Sequence, residues 1–584
     1  MKIKSWSWGL FFQALVILAG VLLFNALENA APTWQPVEIT FTATGTPDWK
    51  TFPLSVTFTH TDGTKITLEG FWDGGNVWRV RFAPIKDGRW SWASVSSNTG
   101  LNGKSGFVDV AAPTAIAISQ NPNLRGHLHI AGDNRTFNRA DGSPFFYLGD
   151  TGWGAMTKTY ALFKSWVDDR RTKGFTVVQI RYGSPLKSTN PNRQNFNEGG
   201  YPFLGTPLPD GSDTKDYSRI NPAYFQQVDA RMNYLFENGF VIAGHPDWIT
   251  ISDSYDLDGA ENYSRYLIAR YGAYPLVWSL SGEYQSAVFD WYRTDYENVR
   301  DLGSFIKTKN AYKHPMSIHP GGYHANPTVP LSNMGSSAHH FHTETWLDHN
   351  WLQTYSYFHH IPYRIDEALS KIPAKPVINT EGDYEGNEGD IPNRASAQRL
   401  QAWTSYLSGA AGYVYGARGV YFLDDLTGAD PPSGLNLPGS SDMSRIISFF
   451  TQNTITLSAM NPRIAGGQSC VTIGGQNPSL LDVTHARCAG TAGSVYVLYA
   501  PAGSASHNLE MRGLENKSYI AKWYNPATGI YTDVIENPVN TDLNDTWTVP
   551  SRPSLEDWVL YLKENGGGTG GTSRVRQRSG INYS

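Results

Sequence analysis

Two glutamates stand where a carboxylate can do chemistry. Pro376-Val-Ile-Asn379 is a short apolar run, long enough for a buried strand and too short for a helix. It breaks into Thr380-Glu381-Gly382, a carboxylate at a strand end beside a residue with a permissive backbone. Earlier in the chain Pro275-Leu-Val-Trp-Ser-Leu-Ser-Gly-Glu283 repeats the arrangement. Alone, such a glutamate is more often a solvated or salt-bridged loop residue. As a pair at the ends of two strands, Glu283 and Glu381 are the minimum equipment for cutting a glycosidic bond: one protonates the leaving oxygen and the other attacks the anomeric carbon.

The elements around them alternate strand and helix from about residue 113 to 452, the cadence of a parallel α/β domain. A first strand, 145–148, ends at Gly149-Asp150 with Trp153 beyond; a helix over 160–173 stops at Gly174. The second strand carries Gln179 and runs into Arg181, and a long loop spans 183–220. A helix over 222–237 ends at Asn238-Gly239, and a third strand, 240–244, exits into His245-Pro-Asp247-Trp248. Helix 260–271 precedes the strand ending at Glu283, and helix 290–307 precedes a strand over 314–318 that ends at His319. A sixth strand, 351–355, carries Gln353; the seventh ends at Glu381 with Tyr384 just past it. Helix 394–407 leads into the eighth, Gly412–Tyr415. Eight such units make a TIM barrel, whose active site lies at the carboxyl ends of its strands. Asp150, Gln179, Arg181, His245, Asp247, His319 and Gln353 are placed to bind hydroxyls there, and Trp153, Trp248, Tyr384 and Tyr415 to stack on sugar rings. Arg181 also suits a carboxylate on the substrate.

A metal-dependent hydrolase is the weaker reading. His339, His340 and His342, followed by His349, His359 and His360, lack a His-Glu-x-x-His helix and fall in loop-like sequence. Asp256-Leu-Asp-Gly259 is a fragment of a calcium loop without the remaining ligand spacing. No metal or cofactor is expected.

Composition narrows the partners. The 584 residues include 19 Trp, 32 Tyr and 26 Phe, a surplus that suits carbohydrate, although β-sandwich cores consume aromatics too. A formal net charge of -5 leaves no basic stripe for nucleic acid. Charged residues are only 17%, ordinary for an exported protein. Met1-Lys-Ile-Lys4 and the uncharged run from Leu10 to Leu27 read as a secretory signal within residues 1–31, or as a retained N-terminal membrane anchor. Either way the body is secreted, periplasmic or at the cell surface. Export makes a local disulfide between Cys470 and Cys488 the expected use of the two cysteines.

The flanks are β-patterned. Residues 34–112 contain a hairpin with its turn at Thr61-Asp62-Gly63 and the alternating run Asn76-Val-Trp-Arg-Val-Arg-Phe82. Residues 453–563 contain Ser494-Val-Tyr-Val-Leu-Tyr499 and Trp558-Val-Leu-Tyr-Leu562, and a Gly-rich tail over 564–584 is expected to be disordered. The fold class is thus α/β, a (β/α)8 TIM barrel flanked by an N-terminal and a C-terminal β-sandwich.

Four motifs in order, Phe145-Phe-Tyr-Leu-Gly-Asp-Thr-Gly-Trp153, Lys173-Gly-Phe-Thr-Val-Val-Gln179, Val277-Trp-Ser-Leu-Ser-Gly-Glu283 and the run from Pro376 to Tyr384, resemble the apiosidase-like glycoside hydrolases. The resemblance spans most of residues 125–450. It implies a clan-A type barrel, a retaining mechanism, Glu283 as acid/base and Glu381 as nucleophile. Where the members have Gly-Gly-Asp this chain has Ser281-Gly-Glu283, one methylene longer, so apiose is not carried over as the sugar. Residues 34–112 look like the sandwich that precedes such barrels, and 455–562 like a collagen-binding-like sandwich. The expected function is an exported glycoside hydrolase acting on a polysaccharide or oligosaccharide; the alternative is a non-catalytic carbohydrate-binding or adhesion protein on the same barrel.

Overall fold

A computed structural model describes residues 30–183, 196–204, 217–246, 256–284, 295–322, 335–386, 395–423, 433–503, 508–541 and 545–566. The expected leader up to residue 29, most of the long loop after the second strand, Asp247 and Trp248, and the tail from 567 lie outside these residues. Among the described residues no helix is long and apolar enough to cross a membrane.

Eight parallel strands form the centre: β1 (Tyr147–Gly152), β2 (Val177–Arg181), β3 (Val241–His245), β4 (Leu276–Ser279), β5 (Met316–Ser317), β6 (Asn350–Gln353), β7 (Val377–Glu381) and β8 (Gly412–Tyr415). Their order around the sheet is β5-β4-β3-β2-β1-β8-β7-β6. The seam between β5 and β6 is closed by Asp348 N–H donating to the Met316 carbonyl at 2.9 Å and Ser317 Oγ donating to the His349 carbonyl at 2.8 Å. Both faces of the strands are buried because both are covered. Tyr147, Val177, Val241, Val277, Trp351, Ile378 and Val414 fill the interior as one cluster. A small antiparallel sheet, Leu128–Ile130, Phe137–Arg139 and Pro144–Phe145, caps the amino end and adds Leu128, Phe137 and Phe145 to that cluster.

Outside run α1 (Tyr160–Thr172), α2 (Pro222–Glu237), α3 (Leu257–Tyr271), α4 (Tyr296–Lys309), the short α5 (Ala338–Phe341), α6 (Ile361–Leu369), α7 (Ala395–Leu407) and α8 (Pro438–Gln452). Local chemistry sets their ends. Thr159 and Asn221 accept backbone N–H bonds as N-caps of α1 and α2, and Gly174 and Gly239 follow these helices at φ +79° and +82°. Several elements differ from expectation. The fifth strand is only two residues long, because Pro315 has no N–H for the ladder and His314 is held back by Asn310, which bonds both its N–H and its carbonyl. Helix α8 was not expected, although Met443, Ile446 and Phe450 repeat at helical spacing on its buried side.

At the amino end, a five-stranded sheet with the hairpin Leu54–His60 and Lys65–Glu69 packs on three strands that include Val77–Phe82, joining Val56, Phe58, Trp78 and Trp90 in one core. Arg81 fastens this sandwich to the barrel, paired with Asp229 on α2, while Arg270 on α3 reaches both Asp229 and Asp73. At the carboxyl end, a sheet built on Val495–Ala500, Trp558–Glu564 and Ser518–Tyr524 faces a three-stranded one. The disulfide Cys470–Cys488, with Cα atoms 5.6 Å apart, ties the two sheets together. Arg399 on α7 fastens this sandwich through Asp557 at 2.7 Å and Asp442 on α8 at 2.6 Å.

Candidate active site

Glu381 reaches the barrel mouth through a bulge. Ile378 points inward with the core, and Asn379 points out, bonding Ser405 on α7. Strict alternation would send Glu381 outward as well. The register between β6 and β7 shifts there: Leu352 faces Asn379, but Gln353 faces Glu381, so Thr380 is the extra residue. A bulge of this kind re-aims the following side chain. Glu381 is 6% exposed, with Oε2 3.1 Å from His319 Nε2. His319 Nδ1 lies 2.9 Å from the Pro320 carbonyl, which can only accept, so this nitrogen donates there. The Nε2–Oε2 contact is close but not aligned as a hydrogen bond.

Glu283 lies just past β4, half-buried, with φ +47°. A non-glycine residue in the left-handed region is strained, and such strain gathers at functional sites. The backbone beyond β4 keeps pairing with the β5 exit, His319 N–H donating to the Ser281 carbonyl at 3.1 Å. Gln353 Nε2 donates to Glu283 Oε1 at 3.0 Å. Gln353 therefore connects the two glutamates: its side chain holds one, and its backbone is the cross-strand neighbour of the other.

The floor beneath them is aromatic. Trp153 Nε1 donates to the Tyr384 hydroxyl at 3.0 Å, and that hydroxyl lies near enough to Glu381 to feel its charge. Burial, and then the charge of Glu381, push the Tyr384 phenol well above its ordinary range, so it stays a neutral donor. A Cβ on Gly416 would come 2.3 Å from the Tyr384 ring, which explains a glycine at the end of β8. His245, its Nδ1 3.0 Å from the Ile180 carbonyl, packs against Trp153, His319 and Trp351. Burial, and then His319, pull its imidazole well below the usual range.

Residues 131–456, more than half of the chain, match the family model described as "Apiosidase-like, catalytic domain". The chain belongs to the apiosidase-like family. Residues 30–97 match a domain of unknown function, and 477–563 match the "Putative collagen-binding domain of a collagenase". Among solved structures, one described as "a putative glycoside hydrolase from Bacteroides vulgatus" is similar over 92% of this chain and 100% of its own, at 18% identity and TM-score 0.65. A family 5 glycoside hydrolase from the same organism is similar over 76% of this chain and 94% of its own, at 18% identity and TM-score 0.57. No curated protein sequence matches the chain. Family membership gives it a glycosidase-like function, on a barrel shared in fold with glycoside hydrolases.

Within this apiosidase-like barrel several expected binding residues change role. Asp150 and Tyr415 are wholly buried on the outer face of the barrel. Asp150 accepts from Trp166 Nε1 and pairs with Arg170 of α1, each at 2.6 Å, and Tyr415 donates to Glu385 at 2.5 Å. Neither can touch a sugar in the mouth. Trp153 and Tyr384, at 4% and 5% exposure, bond each other and present no open ring for stacking. Arg181 points inward, its Nε donating to the Trp153 carbonyl and its guanidinium over Phe422. Gln179 is fully buried in the interior, its amide without a hydrogen-bond partner among the described residues. Asp256 is the N-cap of α3, accepting from Gly259 N–H. His340 stacks on Tyr296 and His342 bonds Pro373 and Asn350; among the described residues no group of three or more His, Cys, Asp or Glu could hold a metal ion. Thr151 and Trp351 were overlooked. Alternation from Tyr147 marks Thr151 as sharing its face.

Proposed function

We propose that the protein is an exported retaining glycoside hydrolase acting on a polysaccharide, with Glu381 as nucleophile and Glu283 as acid/base. The observation that carries this reading is the link through Gln353, which gathers two carboxylates from the ends of β4 and β7 at one mouth. Glu381 attacks the anomeric carbon while Glu283, in its acid form, gives its proton to the departing oxygen. Water then loses a proton to Glu283 as it attacks the same carbon, and the bond to Glu381 breaks with retention of configuration. Export rests on the apolar segment between Leu10 and Leu27, and cell fractionation that leaves the protein in the cytosol would contradict it.

The test is a pair of variants on an aryl glycoside found by screening a glycan panel. Glu381→Gln abolishes turnover of every substrate. Glu283→Gln keeps the first step, because an activated leaving group needs little protonation, and stalls in the second. Azide then restores its rate and yields a glycosyl azide of retained configuration. An inverted product, or wild-type turnover in either variant, overturns the mechanism. Binding without turnover across the panel favours the non-catalytic carbohydrate-binding alternative.

A further inference from the structure

A second cleft, of about 550 Å3, opens at the opposite end of the barrel from the glutamates. It is framed by the segments that enter the first three strands: Phe145 and Phe146 before β1, Phe175 and Thr176 before β2, Asn238 and Gly239 before β3. Active sites of such barrels occupy the other face, so the mechanism above leaves this cleft unused.

Its charge is one-sided. Arg125, Arg139 and Arg171 line it, and no aspartate or glutamate does. Arg125 is paired at 2.8 Å with Asp141, which is not among the lining residues. Arg139 is only 5% exposed, yet its one side-chain hydrogen bond is from Nη1 to the neutral Asn123 Oδ1 at 3.2 Å. Its guanidinium stands 5.0 Å from the Phe145 ring centre and makes no ion pair among the described residues, although the charge of Asp141 acts on it. Burial brings its pKa down to about 10 against the opposing charge of Asp141. Arg171, exposed on α1, likewise donates to an amide, Asn238 Oδ1 at 2.6 Å, and makes no ion pair among the described residues.

Holding strand-entry loops does not require this. One neutral hydrogen bond to each asparagine uses a single donor of five, and a buried guanidinium without a carboxylate is costly to keep. Those two side chains, one buried and one exposed, supply what a planar or tetrahedral oxyanion accepts: forked donors and positive charge. Pro122 and Pro144 add apolar surface, on which the C–H face of a sugar ring packs. The volume falls in the range of small-molecule sites, roughly 300–1,000 Å3. We propose that this cleft is a second binding site for an oxyanion, a carboxylate or sulfate group held by Arg139 and Arg171, either free or carried on a saccharide.

Isothermal titration calorimetry on the whole protein at low ionic strength tests it, with sodium sulfate, methyl glucuronide and uncharged methyl glucoside as probes. At least one of the two anions saturates with Kd on the order of 1 mM, and methyl glucoside does not. Arg171→Gln and Arg139→Lys each weaken that binding about tenfold, while Glu381→Gln leaves it unchanged. Tighter binding of the glucuronide than of sulfate assigns a glycan-borne group, and the reverse order assigns a free ion. Should Arg139→Lys fail to fold, the exposed Arg171 variant decides alone. Saturation by methyl glucoside equal to that of the anions, no anion binding below about 50 mM, or full binding in the arginine variants overturns the proposal. So does anion binding lost in Glu381→Gln, which would place the ion in the mouth instead.

Discussion

Tyr384→Phe probes the candidate site through one atom. The hydroxyl accepts from Trp153 Nε1 at 3.0 Å and faces Glu381, and its ring is confined by Gly416, so phenylalanine fits with the same outline. If the hydroxyl turns to donate to the Glu381 carboxylate during the reaction, that hydrogen bond to a charged group contributes about 1.5–3 kcal/mol, which corresponds to roughly 10- to 150-fold in rate. Where that loss is felt depends on the step. When the glycosyl bond to Glu381 breaks, charge returns to the carboxylate, and the missing donor raises that barrier in full. When Glu381 attacks, its charge is consumed, so the same donor had favoured the ground state and its loss is partly offset. With an activated aryl glycoside, whose second step limits turnover, kcat falls by the full factor while kcat/KM falls less. A pre-steady-state burst remains, followed by a slower steady rate. The buried Trp153 N–H loses its acceptor at the same time, at a cost of about 1–3 kcal/mol in stability, read separately by urea unfolding. A kcat within twofold of wild type, or a larger loss in kcat/KM than in kcat, refutes the assignment of Tyr384 to the nucleophile.

Two further substitutions separate structure from chemistry. Asp150→Ala leaves Trp166 N–H and Arg170 Nε buried without their acceptor while Arg170 keeps its pair with Asp169, and unfolding free energy drops by about 1–3 kcal/mol with KM of the folded enzyme unchanged; a raised KM at intact stability would return Asp150 to the mouth. Arg399→Ala strands Asp557 at the junction with the C-terminal sandwich while Asp442 keeps Arg445, so limited proteolysis cuts that sandwich faster and stability falls by about 3–5 kcal/mol. Unaltered proteolysis would show that apolar packing alone holds the junction.

Much of this protein is written locally. The alternation of apolar runs with glycine-stopped helices announces the barrel, since Gly174 and Gly239 stop helices whatever lies around them. The two glutamates are legible because each follows an apolar strand and adjoins a glycine. The cysteine pair was legible from count and context, and the structure closes it between two sheets. Which way a side chain faces is another matter. In a barrel with buried residues on both faces of its strands, alternation says that Thr151 and Asp150 point oppositely but not which one points in. Only the packing of Leu148 on the helices and Tyr147 in the interior decides it, sending Asp150 to Arg170. Glu381 needed more still. Its inward direction depends on one extra residue against β6, a register shift that exists only between two strands and is spelled in neither.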